Sequence, residues 1–176
     1  MSASRHLRRL LSALAMLACV AGARAQTAPE AELKAALVFN FALFTQWPAS
    51  AFSAPGQPFV LCYADERMAG AFTSLASKTL HGRPVAVRRI LPGASTAGCH
   101  VGYWHEEPRL PAGAPGATLL VADAEGFARR GGVIEIGVED ARMRFDVNVD
   151  NARASGLRVS SKLLRLARKV HGHAED

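Results

Sequence analysis

Two cysteines, Cys62 and Cys99, the histidines His100 and His105, and the acids Asp65 and Asp123 are the side chains of this chain whose types and spacing could do chemistry. Neither a nucleophile elbow nor a phosphate-cradling glycine loop is present, and paired carboxylates and metal-ligand spacings are missing too. The stretch Gly93-Ala-Ser-Thr-Ala-Gly98 comes nearest to a glycine-rich loop. It leads into a strand, so it lacks the helix N-terminal amides that hold a phosphate. Cys99, His100 and His105 fall on one predicted strand, whose alternation turns His100 away from Cys99. No acid or second cysteine is fixed nearby, since Glu106 and Glu107 begin a loop, and His171 and His173 sit in a polar tail. The sequence therefore predicts no catalytic residue, no metal and no cofactor. Asp65, His105 and Asp123 are a different matter: they would converge at the carboxyl ends of parallel strands, where α/β proteins bind small ligands. Short polar residues at such ends also serve as turn formers and caps.

The cysteines leave two readings open. If their strands are neighbours, as in a doubly wound order 2-1-3, the spacing of about 4.8 Å admits a disulfide; with a strand between them the gap doubles and they remain separate buried thiols. A bridge would close a loop of about 38 residues and contribute roughly 4 kcal/mol on the chain-entropy model.

Compartment decides how those cysteines are read. The first residues carry Arg5, Arg8 and Arg9, and Leu10 to Gly22 is uncharged. That run is within the ~7–15 residues of a secretory signal and short of the ~20 that span a bilayer. Ala23-Arg24-Ala25 supplies a small-x-small cleavage site, so residues 1–25 are expected to be removed and the mature chain to start at Gln26. Leu17-Ala18-Cys19 only loosely resembles a lipidation box, and acylation of Cys19 would tether the protein to a membrane. The formal charge of +6 includes Arg5, Arg8, Arg9 and Arg24, and without those four it falls to +2. With aromatics at 7% and the remaining cations dispersed among acids, nucleic-acid binding is excluded. Residues 26–176 form one domain, long enough to bury about two-thirds of its unfolded surface without a disulfide scaffold.

The elements that must position these groups follow from hydrophobic period. A helix is predicted from Pro29 to Gln46, with Leu33, Leu37, Phe41 and Phe44 on one face and Val38, Phe39, Leu43 and Trp47 widening it. So apolar a helix is buried on several sides or offers Phe39, Phe41, Leu43 and Phe44 to a partner or a second copy. Phe59–Tyr63 reads as a buried strand and Asp65–Lys78 as a helix with Met68, Phe72, Leu75 and Ala76 inward. Strands follow at Val85–Ile90, Cys99–Trp104 and Thr118–Ala122, then a short helix at Ala124–Arg130. Three prolines and two glycines make Glu106–Gly116 a loop. Val133–Val138 and Arg142–Asn148 read as an antiparallel hairpin, Met143, Phe145 and Val147 facing in and Arg142, Arg144, Asp146 and Asn148 facing water. Ser160 caps a terminal helix over Ser161–Val170, with Leu163, Leu166, Ala167 and Val170 on its apolar side. The fold class is α/β: a mixed, mostly parallel sheet sandwiched between helices, ending in a hairpin and a terminal helix.

Five stretches, in order, together resemble the YfiR-like family of periplasmic proteins: Lys34–Pro48, Gly98–Val101, Phe127–Glu135, Arg144–Asn148 and Ser155–Ala167. The resemblance covers nearly the whole mature chain. It implies a periplasmic regulator and not an enzyme, one that dimerises and represses an inner-membrane diguanylate cyclase through its periplasmic sensor region, tuning cyclic di-GMP and biofilm formation. It also implies that Cys62 and Cys99 form one family bridge. A second bridge of the best-known member has no counterpart, because no cysteine follows Cys99. Asn40, Trp47, Asn148 and Ser160 within these stretches read as packing and capping residues. Export makes a direct prediction: N-terminal sequencing of protein from a periplasmic fraction starts at Gln26, and an intact Met1 on soluble cytosolic material would overturn it.

Overall fold

A computed structural model describes residues 27–91, 94–105 and 116–173. The leader (1–25), its cleavage point and most of the proline-rich loop lie outside the described residues. Helix α1 (Thr27–Leu43) leads into the two-residue strand β1 (Thr45–Gln46). The chain continues through β2 (Phe59–Tyr63), α2 (Ala69–Thr73), β3 (Thr79–Leu80) and β4 (Arg83–Arg89). Next come β5 (Val101–Trp104), β6 (Leu119–Ala122), β7 (Ile134–Glu139) and β8 (Arg142–Asn148). Last are α3 (Val149–Ala154), β9 (Arg158–Val159), α4 (Ser161–Leu164) and β10 (Lys169–His171).

Eight strands form one sheet in the order β10-β8-β7-β6-β5-β2-β4-β3. Its centre, β4-β2-β5-β6-β7, is parallel throughout, and this places β2 beside β5. Such strands are buried on both faces, which explains why Phe59–Tyr63 and Leu119–Ala122 are unbroken apolar runs. β7 and β8 form the expected antiparallel hairpin, closed by Asp140 and Ala141, both at positive φ. A separate two-stranded sheet, β1 with β9, ties the end of α1 to the C-terminal region.

The face under α1 holds the main core. Phe41 packs on Phe145 at 4.8 Å, and Phe72 lies between Tyr63 and Tyr103 at 5.1 and 5.6 Å. The opposite face carries a small cluster of Cys62, Cys99 and Ile90 with Val60, Ala64 and Trp104. Glycine is required there: a Cβ on Gly102 would stand 2.5 Å from the Trp104 indole, so the ring lies flat over bare backbone.

Several expectations need correction. α1 is rotated from its predicted orientation: Lys34, Ala35, Val38, Phe41 and Ala42 are buried, while Leu33 is 50% and Leu43 43% exposed. A helix apolar nearly all round carries little phase information, and the small residues Ala35 and Ala42 let it approach the sheet closely. It stops at Leu43, two residues before a β1 that the prediction had absorbed. The segment after Asp65 is helical in three short pieces, and Ala71, not Ala76, joins Met68, Phe72 and Leu75 inside. Only Phe127–Arg129 of the predicted Ala124–Arg130 helix is a turn of helix. The terminal helix is a single turn, α4; beyond it the chain extends into β10, parallel to β8. Leu166 and Val170 are consequently exposed. The sandwich between helices is thus partial, since α1 and α2 cover one face while Cys62 and its neighbours pack under the segment containing Ile90 and Cys99. Packing sets the expected cost of damage: Phe41→Ala lowers unfolding free energy in urea by about 3–5 kcal/mol, whereas Leu33→Ala changes it by less than about 0.5 kcal/mol.

Candidate functional site

At the carboxyl ends of β5 and β6 the backbone runs straight into His105 and Asp123. The Asp123 carboxylate, 7% exposed, accepts from three side chains at one oxygen: Lys34 Nζ at 2.6 Å, His105 Nδ1 at 2.7 Å and Tyr103 Oη at 3.2 Å. Lys34 reaches down from α1 and also meets Glu30, one turn earlier, at 2.7 Å. Asp65 starts the helical segment after β2, accepting from the Arg67 backbone N–H, and its carboxylate pairs with the Arg67 guanidinium. Of the three residues singled out at the strand ends, His105 meets Asp123 and Asp65 lies with His105 along the adjoining depression; Lys34 and Tyr103 complete the cluster around Asp123. The sequence marks Lys34 as a lone cation inside an apolar helical run.

Burial pushes the Asp123 carboxyl upward, but hydrogen bonds from Lys34 and His105 outweigh it and hold the group below the ordinary carboxylate range. Burial likewise pulls the Lys34 ammonium down, and its bonds to Asp123 and Glu30 more than offset this, leaving it above its usual value. Burial first, then the negative charge of Asp123, drives the Tyr103 phenol far upward, so it stays a neutral donor. With an ionised Asp123, His105 must donate its Nδ1–H. The depression over these groups, bounded by Glu30, Lys34, Asp65, Arg67, Met68 and His105, holds only about 70 Å³. Small-molecule pockets run to roughly 300–1,000 Å³, so the geometry of this end is that of a clamp between α1 and the sheet.

Cys62 and Cys99 are joined by a disulfide with Cα atoms 5.8 Å apart, stapling β2 to the entry of β5. Both are buried, and Arg88 donates to Cys99 Sγ at 3.0 Å and to the Ala97 carbonyl at 2.6 Å. His100 is committed elsewhere: Nδ1 accepts from the Val60 N–H, Nε2–H donates to the Ala51 carbonyl, and the ring stacks on Phe52 at 4.5 Å. Burial lowers its pKa and keeps it neutral. Among the described residues no group of three histidines, cysteines or acids is arranged to hold a metal.

Of the residues proposed for a partner or dimer surface, Leu43 is exposed and Phe44 half-buried. Phe39 is half-buried with Lys78 Nζ 5.8 Å over its ring. Phe41 is a core residue and presents no surface. Trp47, Asn148 and Ser160 have structural posts: Trp47 donates to the Ala117 carbonyl and packs on Phe59, while Asn148 and Ser160 cap α3 and α4.

Fold and site define a disulfide-stapled α/β domain of doubly wound order whose strand-end charges fasten a long helix to the sheet. The chain matches the YfiR/HmsC-like family over residues 31–168 and belongs to it. No curated protein matches the chain.

The clamp predicts a pH profile. A carboxyl held below its unfolded pKa stabilises the fold above about pH 4, and that contribution is lost as pH falls through the folded value. Lys34, shifted up, contributes below about pH 10 and loses its part at higher pH. Asp123→Asn should flatten the acid limb, leaving the shares due to Asp65 and Asp146, whose carboxyls Arg67 and Arg168 also hold low, and cost about 2–3 kcal/mol near neutrality. That is less than the ~3–5 kcal/mol typical of a broken buried pair, because Glu30 still meets Lys34. Urea midpoints measured from pH 2 to 8 check both effects.

Proposed function

We propose that this protein is a periplasmic, non-enzymatic regulator that binds the periplasmic sensor region of an inner-membrane diguanylate cyclase and represses it. The observation that carries the reading is membership of the YfiR/HmsC-like family over residues 31–168. The disulfide between Cys62 and Cys99 fits an oxidising compartment. Residues 1–25 act as the removed leader, and residues 26–176 fold as a single domain. In this reading the protein works as a homodimer, and the exposed or half-buried Leu43, Phe44 and Phe39 at the end of α1 supply apolar surface for a protein contact. None of the described helices is long and apolar enough to cross a membrane.

A second reading, a periplasmic small-ligand sensor using Asp65, His105 and Asp123, draws on their convergence at the strand ends. The small volume there and the commitment of Asp123 to Lys34 favour the regulator. Affinity purification from solubilised membranes separates the two. A diguanylate cyclase recovered in stoichiometric amount, and lost or weakened about tenfold with Leu43→Asp, supports the regulator. A metabolite that raises the melting temperature through Asp65 and His105, with no protein partner, supports the sensor.

A further inference from the structure

His100 sits where an added proton cannot be accommodated. The residue is 3% exposed and leads into β5, and its backbone N–H bonds the Val60 carbonyl. Its ring completes the exchange: the Val60 N–H donates to Nδ1 at 2.9 Å. A backbone N–H can only donate, so Nδ1 must stay unprotonated. Nε2–H then donates to the Ala51 carbonyl at 3.1 Å, and the ring lies on Phe52 at 4.5 Å and beside Phe59 at 4.9 Å. Protonating Nδ1 would set two donors against each other inside the protein.

The groups packed around the ring do not compensate an imidazolium. Arg83 from β4 stands 3.9 Å over the same Phe52 ring, a cation that opposes a second one. His81, across Phe59 at 6.0 Å, is bonded to the Ala42 carbonyl. No carboxylate pairs with His100 among the described residues. What yields on protonation is set by what is held. The disulfide ties Cys99 to Cys62, so β2 and the entry of β5 cannot part. Residues 48–58, which the ring holds through Ala51 and Phe52, include no buried residue. Beyond His100 they are tethered by Arg83 Nη1, bonded to the Ala54 and Gln57 carbonyls at 3.2 and 2.9 Å. A stretch with so little buried apolar contact opens at low cost.

We infer that His100 is an acid-released latch: protonation of its ring frees residues 48–58 from the stapled strands while the rest of the fold stays closed. Release bares part of the Phe59 ring, otherwise fully buried, and gives the domain an apolar surface in acid alone. Under the periplasmic reading, acidity outside the cytoplasm becomes a signal the protein registers. The latch itself does not depend on which protein the regulator binds.

Amide hydrogen exchange of the purified, disulfide-bonded protein tests it, with rates corrected for the intrinsic pH dependence of exchange. Burial holds the His100 pKa below its ordinary value, so closure is fully stabilised above about pH 6.5 and weakens as pH falls toward the folded value. Between about pH 7.5 and 5.5 the opening constant at the Ala51, Phe52 and Val60 amides should rise about tenfold, while amides of β6 change by less than about twofold. His100→Asn keeps an acceptor for the Val60 N–H and cannot be protonated, so its opening constant should be equal at both pH values. His81→Asn should respond as the wild type does. If His100→Asn fails to fold, the wild type alone decides: its opening constant should climb as pH falls below about 6.5, the ordinary histidine value that the opened state regains. A constant that stays flat in acid, an equal rise in β6, or a response that survives His100→Asn or vanishes with His81→Asn overturns the proposal. Cyclase recovery plays no part in this measurement, so either result leaves that reading as it stands.

Discussion

A buried ammonium needs a counter-charge, and the rotation of α1 follows from that requirement. Lys34 is turned into the sheet with its side chain 10% exposed, and there its charge is met by Asp123 at the end of β6 as well as by Glu30 on its own helix. Once Lys34 points there, Ala35, Val38, Phe41 and Ala42 must face the core, and Leu33 must face water. A buried ion pair of this kind adds little net stability over an apolar pair of the same shape. What it does is discriminate: any other phase of a helix so evenly apolar would leave the buried Asp123 carboxylate without its lysine. The seat of Phe41 on Phe145 and the exit of the chain into β1 both depend on the phase it selects.

That choice also marks the boundary of what could be read in the sequence. Strands were legible where their surroundings are simple: the runs Phe59–Tyr63 and Leu119–Ala122 announce two covered faces, and the alternation in Arg142–Asn148 announces one. Alternating strands and helical segments pointed to a mostly parallel sheet but left open whether Cys62 and Cys99 are neighbours in it, which β2 lying beside β5 decides. Long-range charge pairing was invisible. Asp146 reads as a wet-face residue by period and is 4% exposed because Arg168, 22 positions later, covers it. The same partnership helps explain the missing terminal helix. Arg168 N–H bonds the Phe145 carbonyl, and Lys169–His171 then extends along β8, a tertiary demand that outweighs the local helical pattern.

The two faces of the sheet divide the molecule's chemistry. Under α1 lie the aromatic core and, at the strand ends, a clamp whose charges are matched. On the reverse lie the staple between β2 and β5, a thin apolar cluster and a cavity lined by acids and cations together. Of the residues singled out by type, His105 lies on Asp123 and Asp65 at the edge of the adjoining depression, whereas the pair Glu135 and Asp146 was hidden. Two acids 11 residues apart become neighbours only through the register of a hairpin.

The margins of the sheet have their own significance. It ends in β3, two residues long, on one side and in β10, three residues long, on the other. Unpaired strand margins are templates on which other chains can stack, and long flat ones seed fibrils. Margins this brief, with Lys169 on β10, offer an incoming strand few backbone bonds on the edge strands themselves.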